Sequence, residues 1–267
     1  MADPAGGTQT VERAISLLTC FTEELGTLRV SELCTMTGLG QSTVSRMMSS
    51  LDRLGFVLQD QRTGLYRLGP AAISLGTIAL NGSPIFRAAR QVAQNLAHAT
   101  GLGVNVAQLS DLSLYYLCNF EGANAPKSFS MAGRSGPLHA TGMGKALLSG
   151  MSAERVDEYF SAPPVAFTPH TIVHREAMET ALDQIRSKGY STEIEELAFG
   201  RACIAAPIRN RTGECVAALS ASGPLSVIDL DGTGHQELAL QVIEAADEVS
   251  VSLGFSPSRN QPRVLSA

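Results

Sequence analysis

The chain has no tryptophan, and aromatic residues fill only 5% of its 267 positions. Its interior must therefore be built mainly from aliphatic side chains. Cysteine is scarce and scattered. Cys20, Cys34, Cys118, Cys203 and Cys215 form no CxxC pair, and their odd number argues against a disulfide framework or a structural zinc site. No apolar run approaches the roughly 18 residues that a membrane helix needs. Met1–Thr8 has neither the basic nor the apolar segment that opens a signal peptide, so a soluble, cytoplasmic protein is expected. A basic surplus is also missing. The formal net charge is −5, and residues 1–75 hold six Arg, no Lys and seven acids. Any nucleic-acid role must rest on where the arginines stand, because bulk charge does not favour it.

What is present is globular: 44% hydrophobic and 17% charged residues, in a length that suits one large domain or two ordinary ones. After a loose Gly-rich start, Gln9–Glu24 has a helical stripe of Val11, Ala14, Ile15, Leu18 and Phe21. A short second helix is expected over Glu32–Thr37. The turn Gly38-Leu39-Gly40 follows, then a third helix capped by Gln41 or Ser42 and ended by Gly55. Residues 56–68 read as two short strands around a Gly-containing turn. Pro70 opens a further helix over Ala71–Leu80, and Asn81-Gly82-Ser83-Pro84 is the breaker at which a domain boundary is expected.

Beyond it, a helix is expected from Ile85 to Thr100, then hairpins over Gly103–Leu109/Leu114–Phe120 and Ala202–Ile208/Cys215–Ser222. Helices are expected at Gly142–Leu148, Arg175–Lys188 and Gln236–Leu253. Strand pairs mixed with flanking helices imply an α+β fold with a mainly antiparallel sheet. The expected organisation is a disordered 1–8, a winged helix-turn-helix at 9–69, a linker helix at 70–83, a second domain at 84–255 and a flexible tail at 256–267.

A helix-turn-helix requires a second helix with one apolar and one polar face. In Ser42–Leu54 the apolar stripe is Val44, Met47, Leu51 and Leu54, and the opposite face carries Ser42, Thr43, Arg46, Ser49, Ser50 and Arg53. Every residue of that polar face can hydrogen-bond to DNA, and no acid sits in the first two turns. Ser42 and Thr43 also place backbone N–H groups where a phosphate could dock. Arg62 stands at the hairpin tip, where a wing supplies phosphate contacts that position without specifying. A small helical subdomain with a solvated Ser/Arg face is the bland alternative, but the order helix, helix, turn, helix, hairpin weighs against it.

The stretch Ser42-Thr43-Val44-Ser45-Arg46 through Leu54-Gly55-Phe56-Val57, with Tyr66-Arg67-Leu68-Gly69, resembles the N-terminal domain of IclR-type regulators. So do Gly136-Pro137-Leu138-His139-Ala140-Thr141-Gly142-Met143-Gly144-Lys145-Ala146, Thr168-Pro169-His170-Thr171-Ile172, Cys203-Ile204-Ala205-Ala206-Pro207 and Ala218-Leu219-Ser220-Ala221-Ser222-Gly223-Pro224. The motifs span roughly residues 9–255 in order. The resemblance implies operator DNA as partner, a GAF-like second domain that binds a small organic acid, and homodimers that pair into tetramers. Carried over by position, it places an effector pocket at Gly142, Met143, Glu193, Arg201, Cys203, Ser220 and Ser222. Local chemistry is compatible with that placement. Gly142 and Gly144 flank a helix start where free N–H groups favour an anion, and Ser220 and Ser222 alternate on one strand and so share a face. Arg201 and Glu193 depart from the aliphatic residue and the Asp of many relatives; Arg201 could clamp a carboxylate, pair with Glu193, or lie on the surface.

Other chemistries are disfavoured. Gly142-Met143-Gly144-Lys145-Ala146 fails as a phosphate-binding loop, with His139 where a Gly is required and Ala146 where Ser or Thr is required. His170 and His174 have i, i+4 spacing but lack the following Glu and a helical context, so no metal is expected. There is no G-x-S-x-G elbow, and nothing in the sequence joins Cys203 to His139 as nucleophile and base. Neither catalysis nor a cofactor is expected. The competing reading is a DNA-binding protein whose second domain only oligomerises.

Overall fold

The computed structural model describes residues 4–125, 130–228 and 234–256, and it divides into two compact units at Gly82/Ser83. Residues 1–3 of the expected disordered start and 257–267 of the expected tail lie outside the described residues.

The first unit opens with α1 (Pro4–Leu18), which begins earlier and ends earlier than the apolar stripe suggests. At its end the amides of Cys20 and Phe21 turn to the carbonyls three residues back, Leu17 and Leu18, so the helix tightens and stops. Two more helices follow, α2 (Val30–Thr37) and α3 (Gln41–Arg53). Gly38 between them has φ 70°, the left-handed conformation that glycine adopts without a Cβ penalty. The N-cap of α3 is Gly40, one residue before the expected Gln41 or Ser42, and no side chain caps it. Strands β1 (Val57–Gln59) and β2 (Tyr66–Leu68) form the hairpin, with Leu58 opposite Arg67. Leu28 makes an isolated antiparallel bridge to β2 by exchanging both backbone hydrogen bonds with Tyr66.

The unit's core joins Leu17, Leu28, Leu33, Val44, Met48 and Val57. Met48 is fully buried in place of Leu54, which is 63% exposed. Position 54 caps the end of α3, so the apolar stripe stops at Leu51. The amide of Gln59 donates to Asp52 Oδ1 (3.1 Å), tying β1 to α3. Helix α4 (Pro70–Gly82) closes the unit.

The second unit is a six-stranded, wholly antiparallel sheet between two helical layers. Its strands are β3 (Gly103–Ser110), β4 (Ser113–Phe120), β5 (Ser135–Gly136), β6 (Ser191–Ile194), β7 (Arg201–Arg209) and β8 (Cys215–Pro224), in spatial order β5-β4-β3-β8-β7-β6. Helices α5 (Pro84–Thr100) and α9 (Gly234–Ser252) pack on one face, and α6 (Gly142–Ser149) on the other with α8 (Arg175–Lys188) against it; α7 (Ala153–Tyr159) precedes α8. The two-residue period of a strand divides the side chains between layers. Ala202, Ile204, Ala206 and Ile208 join the core with α5 and α9, while Ala205 joins the core with α6 and α8. Small side chains on β7 and β8 let helices lie close on both faces.

One irregularity shapes the site. Val106 pairs with Cys118 but the next residue, Ala107, pairs with Tyr116, so Leu117 is an extra residue in β4. A bulge of this kind reverses the facing of everything on one side of it. Cys118 turns to the α5/α9 core and Tyr116 to the α6 side, although both have even numbers.

Candidate DNA-binding helix and ligand cavity

On α3 the buried Val44, Met47, Met48 and Leu51 hold the helix to its unit, which leaves Ser42, Arg46 and Arg53 exposed on the opposite face. Ser42, Arg46, Ser49 or Ser50, and Arg53 follow one another at helical spacing, so the face is continuous. Thr43 and Ser50 are half-buried. The hydroxyls of Ser49 and Ser50 donate to the carbonyls of Ser45 and Arg46 (2.9 and 3.1 Å), and outward they present acceptor lone pairs. The amides of Thr43 and Val44 both bond Gly40 O, so they serve the helix start and are not phosphate donors in this conformation. Arg62 is exposed at the hairpin tip. Its backbone amide donates to Asp60 Oδ1 (2.8 Å), and this bond with that of Thr63 holds the Asp60 carboxyl below its usual range.

In the second unit, cross-strand register lays polar side chains in rows. Ser222 of β8 stands between Gly103 and Cys203, and Cys203 stands beside Glu193 of β6; in the next row Ser220 stands between Asn105 and Ala205. The start of α6 covers these rows. Thr141 caps it, accepting from the Gly144 amide (3.0 Å) and donating to Pro137 O (2.9 Å). Contact is close: a Cβ at 142 would lie 2.5 Å from Cys203 Sγ, so any larger residue there requires that thiol to move.

The structure brings Gly142, Met143, Glu193, Arg201, Cys203, Ser220 and Ser222 together around one chamber of about 20 Å³. That is room for roughly a single water. It adjoins a cleft of about 330 Å³, and Asn105, Tyr116, Arg201 and Ser222 line both. Arg201 makes no ion pair within 4 Å among the described residues, and its buried Nε has no hydrogen-bond partner. Glu193 is committed elsewhere: Oε1 accepts from the amides of Glu196 (2.7 Å) and Leu197 (3.2 Å). Of the three placements open to Arg201, the cavity wall is the one observed.

Burial pushes the Cys203 thiol up to about 12, with the Glu193 charge adding to the effect and Arg201 and the Gly142 amide opposing it. Cys203 is therefore a neutral thiol at pH 7, without the thiolate a nucleophile needs. Burial likewise pushes the Tyr116 phenol up to about 12, keeping it a donor. His139 has both ring nitrogens engaged, Nδ1 with Tyr159 Oη (2.6 Å) and Nε2 with Val165 O (2.9 Å). A carbonyl only accepts, so Nε2 carries the proton and Tyr159 donates to Nδ1. His139 thus has no free nitrogen to activate Cys203. His170 lies near Glu195 (3.9 Å), while His174 is the N-cap of α8, so the two do not act as a pair. Among the described residues no three His, Cys, Asp or Glu side chains could hold a metal ion, and no helix is long and apolar enough to cross a membrane.

Sequence reasoning missed Asn105, Tyr116 and Asn119. Asn105 Nδ2 donates to Ser222 Oγ (3.2 Å), which could have been inferred only from the β3–β8 register.

Comparison with known proteins places both units. Residues 10–61 match the IclR helix-turn-helix domain, and residues 77–251 match the family described as bacterial transcriptional regulator IclR C-terminal. The chain is 32% identical over 256 residues to the transcriptional repressor IclR of Escherichia coli, covering 95% of this chain and 93% of that one. The crystal structure of IclR from Thermotoga maritima superposes with a TM-score of 0.78 at 26% identity, covering 93% of this chain and all of that one. An IclR homologue from Microbacterium hydrocarbonoxydans, solved with 4-hydroxybenzoate, superposes with a TM-score of 0.80 at 23% identity over 91% of this chain and 98% of that one. The family's members are regulators and not enzymes, in keeping with a buried neutral thiol and an engaged histidine. The chain belongs to the IclR family of DNA-binding bacterial transcriptional regulators.

Proposed function

We propose that the second unit of this regulator senses a small organic acid and that the first docks as a dimer on a (pseudo)palindromic operator. The observation that carries the sensing reading is Arg201, whose buried Nε has no hydrogen-bond partner among the described residues and stands at the junction of chamber and cleft. An unpaired buried donor costs roughly 1–3 kcal/mol or more if charged, and a carboxylate would relieve it through a charge-assisted bond. A domain that only oligomerises has no use for that arrangement. The homologue solved with 4-hydroxybenzoate supports the same ligand class. In the proposed site Arg201 clamps the acid, Ser220, Ser222 and the start of α6 at Gly142 and Met143 supply hydrogen bonds, and Cys203 and Glu193 shape the wall.

Purified protein titrated with pyruvate, benzoate and 4-hydroxybenzoate should bind at least one. Arg201→Gln should weaken that binding about tenfold or more, the value of a lost charged hydrogen bond. Failure of all three acids, with Arg201→Gln indistinguishable from wild type, would return the oligomerisation-only reading.

On the DNA side, Ser42, Thr43, Arg46, Ser50 and Arg53 of α3 face the groove and Arg62 the backbone beside it. Dimerisation is supported by α4, which has no buried residue and leaves Ile73 and Ile78 73% and 67% exposed. The five free cysteines suit a reducing cytoplasm. Fluorescence anisotropy with the DNA upstream of its own gene should show preference over a scrambled duplex and an affinity that falls as salt rises. Arg46→Ala should weaken operator binding at least about tenfold, or ~1.4 kcal/mol. Unchanged binding would remove Arg46 from the interface.

A further inference from the structure

The second unit holds another cavity, of about 220 Å³, on the far side of the α6 and β6 residues that line the chamber. One wall is a stripe of α8, where Ala181, Gln184, Ile185 and Lys188 recur at helical spacing; the other is β6 and its approach, through Tyr190, Thr192 and Ile194. At its base stand Lys145 and Glu196, whose side chains are 5% and 9% exposed. Lys145 Nζ donates to Glu196 Oε1, while Glu196 Oε2 is buried with no hydrogen-bond partner among the described residues. The backbone that carries this carboxylate is held in place, because the Glu196 amide donates to Glu193 Oε1 (2.7 Å) and the Glu196 carbonyl accepts from Thr171 Oγ1 (2.6 Å).

We infer that this cavity is a second ligand site, and that it takes a small hydroxylated molecule with a short apolar body. The head group follows from the inventory of donors and acceptors at the base. Glu196 Oε2 needs a donor, and the ammonium of Lys145, with three N–H groups, can serve an acceptor. A hydroxyl is both at once. A ligand ammonium has no acceptor and would face the Lys145 charge; a carboxylate has no donor and would face Glu196. The body follows from the walls, where Ile172, Ile185 and Ile194 offer apolar contact. The volume lies below the range typical of drug-sized ligands, about 300–1,000 Å³, so the occupant is small. Its selectivity is opposite to that of the Arg201 cavity, and the inference stands whether or not that cavity takes an acid.

The test uses full-length protein with 13C-labelled isoleucine δ1 methyls, titrated with pentan-1-ol, pentylamine and pentanoate as matched probes. Pentan-1-ol should shift the signals of Ile172, Ile185 and Ile194 saturably, and the amine and the acid should bind at least about tenfold more weakly. Ala181→Phe, which fills the cavity from α8 without touching the buried pair, should abolish those shifts. Should that variant misfold, Gln184→Phe closes the same cavity from an exposed position. Absence of saturation by pentan-1-ol, equal binding of all three probes, or shifts that survive both plugs would each overturn the assignment.

Discussion

Glu196→Leu should destabilise the second unit by about 3–5 kcal/mol, read as a lower midpoint in urea or guanidinium unfolding at unchanged slope. The side chain of Lys145 is 5% exposed, and Glu196 is its sole ion-pair partner among the described residues. Removing the carboxylate leaves a largely buried ammonium without its counter-charge. The pair is not itself a large source of stability. Burial raises the Glu196 carboxyl above its usual range despite the opposing Lys145 charge, so desolvation outweighs the attraction. It follows that Lys145→Met combined with Glu196→Leu should recover most of the loss, because charge and counter-charge leave together. A single variant within 1 kcal/mol of wild type would show that the ammonium finds water or another anion, and the buried-pair reading would fall.

Gly144→Ala should cost about 3 kcal/mol, at the upper end of the usual range for overpacking. A Cβ at position 144 would lie 2.2 Å from Leu138 O and 2.4 Å from Leu138 Cα. These are backbone atoms, which cannot rotate aside as a side chain could. Nor can α6 slide away, since every residue from Gly142 to Leu148 is buried. The matched control is Gly76 on α4, where an added Cβ would meet nothing within 4 Å among the described residues. There the same substitution should stabilise by about 0.5–1 kcal/mol through helix propensity and lost unfolded-state freedom. Thermal unfolding of the two variants should therefore shift in opposite directions. A Gly144→Ala protein as stable as wild type would mean that the α6 start is looser than its contacts require.

Much of the architecture was legible because periodicity and punctuation agreed. Helix α8 runs over Arg175–Lys188 as its apolar spacing and closing Gly189 indicate, and both long hairpins fall within two residues of the expected limits. What escaped was short or non-local. Strand β6 is four residues long with Thr and Glu in it, and is recognisable only by its pairing with β7. Leu28 carries no strand signal of its own and is recognisable only by its bridge to Tyr66. Helix α7 has no stripe long enough to register.

The candidate site divides in the same way. Ser220 and Ser222 share a face by strand period alone, and the resemblance of motifs supplied Gly142, Cys203 and Glu193. Tyr116 could not be assigned to that face from sequence, because an even-numbered neighbour of Cys118 reaches it only through the bulge at Leu117. The expectation that Thr43 offers a free amide failed on a bond of one helical turn, to Gly40.

The contact between Gly142 and Cys203 has an evolutionary consequence. The floor of the cavity is also the joint between α6 and the sheet, so changes there are paid for in folding. The rim is different: Phe199 is 66% exposed, and Met131 and Asn119 line the cleft from outside the closely packed joint. Under the proposed sensing role, descendants of this chain can drift at the mouth while the joint stays packed, and acquire a new signal without having to relearn how to fold.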